Sequence, residues 1–166
     1  MKITSKILFI GLIAGVMVTS CKKKTCINNV PELEYYQFYK SPADSINYLL
    51  LFNFRDCDGD IGMEATATIK DEFGEEQAFN FFIDLYHVVG NEWVKHEFGS
   101  SAGLNYKIPI LSNSNVNPSL DGELERKLHP ITSLLGYDSV MFKSRILDNA
   151  GHYSIEVETP GFIIQD

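Results

Sequence analysis

The amino-acid sequence predicts an all-β fold, a β-sandwich of about seven to ten short antiparallel strands. After Pro31 the apolar residues recur with a period of two, which is typical of strands, rather than with the 3.6-residue period of a helix. Turn residues interrupt the chain roughly every eight to twelve residues, as in sandwiches. No segment has the pattern of a long amphipathic helix. Together these features indicate two packed antiparallel sheets around one core.

The first half of the chain contains the clearest strand patterns. Residues 45–55 read SINYLLLFNFR, and the alternate residues Ile46, Tyr48, Leu50, Phe52 and Phe54 fall on one face. A short alternating strand is predicted at 65–70, with a turn at 71–74. Residues 80–98 are rich in aromatic and β-branched residues and contain Gly90-Asn91, which predicts a β-hairpin.

The second half is predicted to contribute the remaining strands and one long loop. Residues 105–111 read as a strand that Pro109 confines to a sheet edge. Residues 112–122 have loop composition, and residues 120–128 are compatible with either a strand or a short helix. The last predicted strands, separated by turn residues 149–151, are residues 139–148, 152–158 and 162–164.

The amino terminus has the features of a secretory signal. Lys2 and Lys6 precede an apolar run at 7–18, which ends in Val18-Thr19-Ser20-Cys21. This run is too short for a membrane span, which needs roughly 20 residues. The combination resembles the lipobox of bacterial lipoproteins. The resemblance implies cleavage before Cys21 and acylation of that residue; the alternative is an ordinary signal peptide with Cys21 as a plain thiol.

This resemblance divides the chain into a signal peptide at 1–20, a lipidated tether at 21–31 and one domain at 32–166. Several acyl chains on one residue give stable membrane anchoring. No aspartate stands at position 22, which by resemblance favours the outer membrane, with the domain facing either the periplasm or the exterior. Lysines follow Cys21 at positions 22–24 and are expected to lie against anionic headgroups.

Charge and cysteine content limit the classes of partner. The formal net charge is −8 and becomes −10 when Lys2 and Lys6 are removed with the signal, so nucleic-acid partners are disfavoured. In an oxidising compartment Cys26 and Cys57 are candidates for a disulfide; two unpaired thiols are the alternative. The sequence contains no Cys-x-x-Cys, which argues against a structural zinc site.

The stretch RDCDGDIG at 55–62 places aspartates at alternate positions. An EF-hand loop counted from Asp56 would need glycine at position six and glutamate at position twelve, where Ile61 and Ala67 stand instead. Shorter calcium loops carry acids at positions one, three, five and nine, a spacing met by Asp56, Asp58, Asp60 and Glu64. The stretch resembles the calcium loops of β-propeller and thrombospondin-type repeats, although Ile61 departs from their usual glycine.

The end of the chain adds a second resemblance. A strand, Asp-Asn-Ala-Gly at 148–151, another strand and Thr159-Pro160 resemble the closing hairpin of bacterial immunoglobulin-like domains. With the lipobox and the Asp-Gly-Asp-Ile-Gly stretch, the chain resembles Ig-like lipoproteins of Bacteroidota-type bacteria, which implies a fold and a location but no activity. In an Ig-like sandwich the B–C and F–G loops share one end, which would bring Asp148 towards the acidic stretch.

Clustered carboxylates repel one another unless a cation or protons intervene, and carboxylate oxygens are the ligands that calcium prefers. The sequence favours a solvated acidic turn at this place, because Asp-Gly is good turn chemistry and solvent screens the charges. The alternative is a calcium site formed by Asp56, Asp58, Asp60, Glu64 and Asp148.

Enzyme signatures are absent from the sequence: it has no Gly-x-Ser-x-Gly, no His-Glu-x-x-His and no phosphate-binding glycine loop. A glycoside hydrolase built on two carboxylates is disfavoured for the same reason. Trp93, with charged neighbours, is the aromatic residue expected at a binding surface.

We therefore expect a non-enzymatic binding or assembly module that holds an envelope protein or a glycan near the membrane. The alternatives are a calcium-dependent glycan-binding lipoprotein and a purely structural accessory subunit.

Overall fold

A computed structural model describes residues 29–44, 47–100, 102–110, 119–129 and 136–164. Within these ranges it contains strands and no helix, so the predicted all-β fold is confirmed. Nothing in this part of the chain is a helix long and apolar enough to cross a membrane. The predicted signal peptide, Cys21 and Cys26 lie outside the described residues. The strands are β1 (Glu32–Lys40), β2 (Tyr48–Asp56), β3 (Ile69–Lys70), β4 (Glu76–Gln77), β5 (Phe81–Val89), β6 (Glu92–Lys95), β7 (Leu120–Leu128), β8 (Ser139–Ile146), β9 (Val157–Glu158) and β10 (Phe162–Ile163).

One antiparallel sheet has the order β1-β2-β7, with β2 in the centre. As the alternating pattern predicts, Tyr48, Leu50, Phe52 and Phe54 of β2 are buried in the core. Strand β1 was not assigned from the sequence as a separate element; its residues pair with β2 from Glu32 opposite Arg55 to Lys40 opposite Tyr48, with one bulge between Tyr35 and Gln37.

The second antiparallel sheet has the order β10-β8-β5-β6, and β9 also pairs with β8. The predicted hairpin at 80–98 is confirmed as β5 and β6, joined by Gly90 and Asn91. Gly90 has a φ of 66°, the positive value that a type II′ turn requires at its first central residue. The small pair β3-β4 forms a hairpin of its own.

The two larger sheets pack face to face as a sandwich. Their inner faces form one core cluster with contributions from β2, β5, β7 and β8. Phe52 meets Phe81 across the two sheets in a T-shaped contact, with ring centroids 5.5 Å apart. Phe38 of β1 lies 5.4 Å from Phe142 and 4.6 Å from Phe162 in the facing sheet. Aromatic pairs of this geometry stabilise a core beyond the area that they bury.

Residues 120–128, for which the sequence left a strand and a short helix open, form strand β7 and pair with β2 along their whole length. The strand predicted at 65–70 is formed only at Ile69–Lys70, and the strand predicted at 152–158 only at Val157–Glu158. The strand predicted at 105–111 is not formed within residues 105–110, where only Tyr106 makes an isolated bridge to Phe81. Beyond this bridge the N–H of Ile108 donates to the side chain of Asn80 and its carbonyl accepts from Met63. Within the described part of the chain, residues 105–110 therefore form no continuous hydrogen-bonded ladder with one neighbouring strand.

Candidate metal centre

The acidic stretch begins where β2 ends. Asp56 is the last residue of β2, and the chain then turns through Gly59 and Gly62, which have φ values of 71° and 116°. A side chain at Gly62 would place its Cβ 2.7 Å from the carbonyl oxygen of Pro109, so only glycine fits this close approach. Ile61, between the two turns, is buried in the core. The loop is therefore folded tightly against the end of the sandwich.

Asp56 is fully buried, with an exposed fraction of 0%. Its Oδ2 accepts a hydrogen bond of 2.7 Å from the N–H of Ile61. Its Oδ1, like the Oδ1 atoms of Asp58 and Asp60, is buried and has no hydrogen-bond partner among the described residues. A buried carboxylate without compensation is costly.

The three carboxylates converge. One oxygen from each of Asp56, Asp58 and Asp60 lies within 4.8 Å of the other two. Oxygens this close can all reach a single calcium ion, which takes oxygen ligands at about 2.3–2.6 Å. The donor set of the cluster contains only oxygen, with no histidine or cysteine. This composition suits a hard cation and disfavours zinc.

Burial and mutual repulsion hold protons on this cluster. Burial, with a contribution from Asp58 and Asp60, raises the pKa of Asp56 to about 7 despite the hydrogen bond from Ile61. Burial and the charges of Asp148 and Asp58 raise the pKa of Asp60 to about 6. Near neutral pH the carboxylates therefore favour a compensating positive charge, supplied by protons or by a cation.

Asp148 lies beside the cluster, at the end of β8. It is fully buried, and its charge raises the pKa of Asp60. Both of its carboxylate oxygens contact His152 in the loop that follows. Oδ1 accepts a hydrogen bond of 2.7 Å from the N–H of His152, and Oδ2 lies 3.0 Å from His152 Nδ1. Backbone N–H groups of Ala150 and Asn149 donate in turn to Asp60 and lower its pKa. Asp148 therefore organises the adjacent loop next to the three carboxylates.

The other residues singled out in the sequence lie elsewhere. Glu64 is exposed and is not one of the three clustered carboxylates. Cys57 is disulfide-bonded; its partner lies outside the described residues, so pairing with Cys26 stays a prediction. Trp93 has an exposed fraction of 40%. It pairs with Val88 near the far end of β5, so it stands at the end of the sheet opposite the acidic loop.

No protein-family model, curated protein or solved structure matches the chain. The fold and the cluster of carboxylates therefore define the class of protein: an all-β domain with a candidate cation site.

Titration of the cluster predicts the pH dependence of stability without metal. The pKa values of Asp56 and Asp60 in the folded chain lie above the unfolded value of about 3.9, so the folded chain binds more protons. The contribution of this pair to stability is therefore greatest below the unfolded pKa and is lost as pH rises through 6 and 7. In chelator, we expect the free energy of unfolding to fall by on the order of 2–4 kcal/mol between about pH 5 and pH 8.

Urea unfolding of the chain without residues 1–20, at several pH values in chelator, measures this effect. Asp56→Asn should flatten the profile and stabilise the metal-free domain at about pH 8, because it removes one buried charge. Asp84→Asn, which changes a partly exposed aspartate paired with Lys95, is the matched control and should leave the slope intact. A metal-free domain that gains stability from about pH 5 to pH 8 contradicts the account.

Proposed function

We propose that this protein is a lipid-anchored cell-envelope module with an immunoglobulin-like sandwich whose loop end is ordered by calcium. Its role is to bind a partner rather than to catalyse a reaction. The observation that carries the proposal is the fully buried Asp56, which has an oxygen without a hydrogen-bond partner among the described residues and clusters with Asp58 and Asp60, one oxygen of each lying within 4.8 Å of the other two. A site of this kind stabilises a binding loop, because the ion binds the folded chain and not the unfolded one.

The strand order supports the immunoglobulin-like assignment. If β1, β2, β5, β7 and β8 are lettered A, B, C, E and F, the final strands β9 and β10 take the place of G. The sheets then read A-B-E and C-F-G, the partition found in such domains, with β6 as an additional edge strand beside C. The B–C loop carries the three clustered aspartates and the F–G loop carries Asp148, and both emerge at one end of the sandwich.

The position of the chain entry supports a role for this end near the membrane. Glu32, the first residue of β1, lies opposite Arg55, so the tether joins the sandwich at the acidic end. An extended tether of residues 21–31 reaches at most on the order of 35 Å. If Cys21 carries the lipid, the metal centre lies close to the headgroups and Trp93 points away from them. Calcium would then neutralise a cluster that anionic lipids otherwise repel.

Calcium is the expected ion. Calorimetric titration of the chain without residues 1–20 should show one site with a Kd on the order of 10⁻⁵–10⁻³ M, in the range of extracellular calcium modules and weaker sensors. Saturation at about 100 times the Kd should raise the free energy of unfolding by about 2.7 kcal/mol. Asp58→Asn should weaken binding about tenfold or more, because a charged ligand is lost, whereas Asp84→Asn should bind normally. Absence of both heat and stabilisation at about 10 mM calcium, well above this Kd range, would falsify the site.

Lipidation is tested separately. Cys21→Ser should move the protein from the membrane fraction to the soluble fraction and abolish labelling by radioactive palmitate, because the acylated thiol is gone. Cys26→Ser, a matched substitution five residues away, should remain in the membrane fraction and keep the label. If the Cys21→Ser protein still fractionates with membranes, Cys21 is not the anchor.

A further inference from the structure

The tip of the β3–β4 hairpin presents a phenylalanine ring to solvent. Phe73 has an exposed fraction of 75%, which is unusual for a residue type that proteins mostly bury. The turn that carries it is held by Asp71, whose Oδ1 accepts the N–H groups of Phe73 and Glu75. Its Oδ2 accepts from the side chains of Gln77 and Tyr153. The backbone that carries the exposed ring is therefore held in place.

Phe73, on the β3–β4 hairpin, belongs to a row of rings that continues to Phe82 on β5 of the second sheet. Its ring lies at 28° to that of Tyr153, with centroids 6.5 Å apart, and Tyr153 meets Phe82 at 5.6 Å. Arg145 covers this row, with its guanidinium carbon 3.9 Å from the centre of the Tyr153 ring and 5.5 Å from that of Phe82. These four residues define the aromatic platform.

The donors of Arg145 are free. Within the described residues its guanidinium makes no hydrogen bond and no ion pair, and its only contacts of note are the two rings. Lys143, on the same face of the same strand, is paired with Glu158 at 2.9 Å. A guanidinium that stacks on an aromatic ring keeps its N–H edge available for a planar carboxylate, which it binds with two parallel hydrogen bonds.

We propose that the aromatic platform binds a saccharide that carries a carboxylate, that is, a uronic-acid residue. The exposed ring of Phe73 offers a stacking surface for the apolar face of a pyranose, and Arg145 offers a fork for the carboxylate. The protein is acidic overall, and Glu72 next to Phe73 is exposed. This negative charge opposes a carboxylate ligand, so binding depends on the stacking contact with Phe73 as well as on the fork of Arg145.

The platform is linked to the metal centre, and this part of the inference rests on the proposed calcium site. The N–H of Glu72 donates to the carbonyl of Gly151 at 2.9 Å. Gly151 has a φ of 92°, and a Cβ there would lie 2.5 Å from the carbonyl oxygen of Lys70. The β3–β4 hairpin thus packs closely on the loop whose N–H groups Asp60 holds. Calcium at the cluster fixes that loop and, through it, Phe73.

The test titrates the full chain in detergent micelles with a glucuronic-acid trisaccharide and with the methyl ester of the same trisaccharide. Isothermal calorimetry is run in calcium and in chelator. The acid form should bind with a Kd of about 1 mM or below, and the neutral ester about tenfold more weakly. Phe73→Ala and Arg145→Gln should each weaken binding of the acid about tenfold, and Arg145→Lys should not restore it, because lysine lacks the fork. Chelator should weaken binding in the same direction.

Two control variants isolate the platform. Tyr36→Ala removes another exposed aromatic ring, from the opposite sheet. Lys143→Gln changes the net charge as Arg145→Gln does. Both should bind the acid trisaccharide normally. Equal binding of acid and ester, or binding unchanged in Phe73→Ala, overturns the platform. Calcium binding without any saccharide binding overturns the platform and leaves the metal centre standing. Saccharide binding that ignores chelator, in a chain that takes up no calcium, supports the platform and removes the metal centre.

Discussion

The fold depends at one end on how the buried charge of Asp56 is compensated. This carboxylate belongs to the last residue of β2 and is fully buried. Among the described residues it receives a single hydrogen bond, from the N–H of Ile61. Asp58 and Asp60 add two more converging carboxylates within the same few ångströms. In a low-dielectric site such a group is destabilising in its fully ionised form unless a cation compensates it. Proton uptake therefore stabilises the folded state, and the raised pKa of Asp56 expresses the same constraint.

Several features are grouped around this constraint. Asp60 receives the N–H groups of the loop after β8, Gly151 of that loop supports the β3–β4 hairpin, and the chain enters the sandwich beside Arg55. Cys57, which is disulfide-bonded, stands between Asp56 and Asp58 in the sequence. The proposed cation, the tether and the aromatic platform therefore occupy one end, while Trp93 lies at the other.

The local sequence pattern was sufficient to predict the strands with regular apolar alternation. It was insufficient where a charged residue or a glycine occupies an inward position. Alternation predicts β2, and Gly90 predicts the hairpin. Strand β7 was ambiguous because its buried leucines, Leu124 and Leu128, are spaced by four, as in a helix. The inward position between these leucines holds Arg126, whose guanidinium lies over the Tyr106 ring. The inward position before them holds Gly122, where the ring of Phe54 leaves no room for a Cβ. Such packing choices depend on the facing sheet and cannot be read from a strand alone.

The candidate site, too, could be predicted from the sequence only in part. The spacing of Asp56, Asp58 and Asp60 shows in the sequence, and the topology of a sandwich suggests that Asp148 lies nearby. The sequence does not reveal that both carboxylate oxygens of Asp148 contact His152. Nor does it reveal the contacts of Arg145 with Tyr153 and Phe82, or the position of Phe73 beside Tyr153. The residues of the platform come from distant segments that the β5–β8 pairing and the packed β3–β4 hairpin bring together.

A crystal structure of the protein grown in calcium, with anomalous data collected at long wavelength, tests the central claim most directly. The account predicts one anomalous peak between Asp56, Asp58 and Asp60, coordinated by an oxygen of each at about 2.3–2.6 Å. Carboxylates that remain in contact with one another or with water alone, and no anomalous peak, would contradict it and make the stretch a proton-sharing turn.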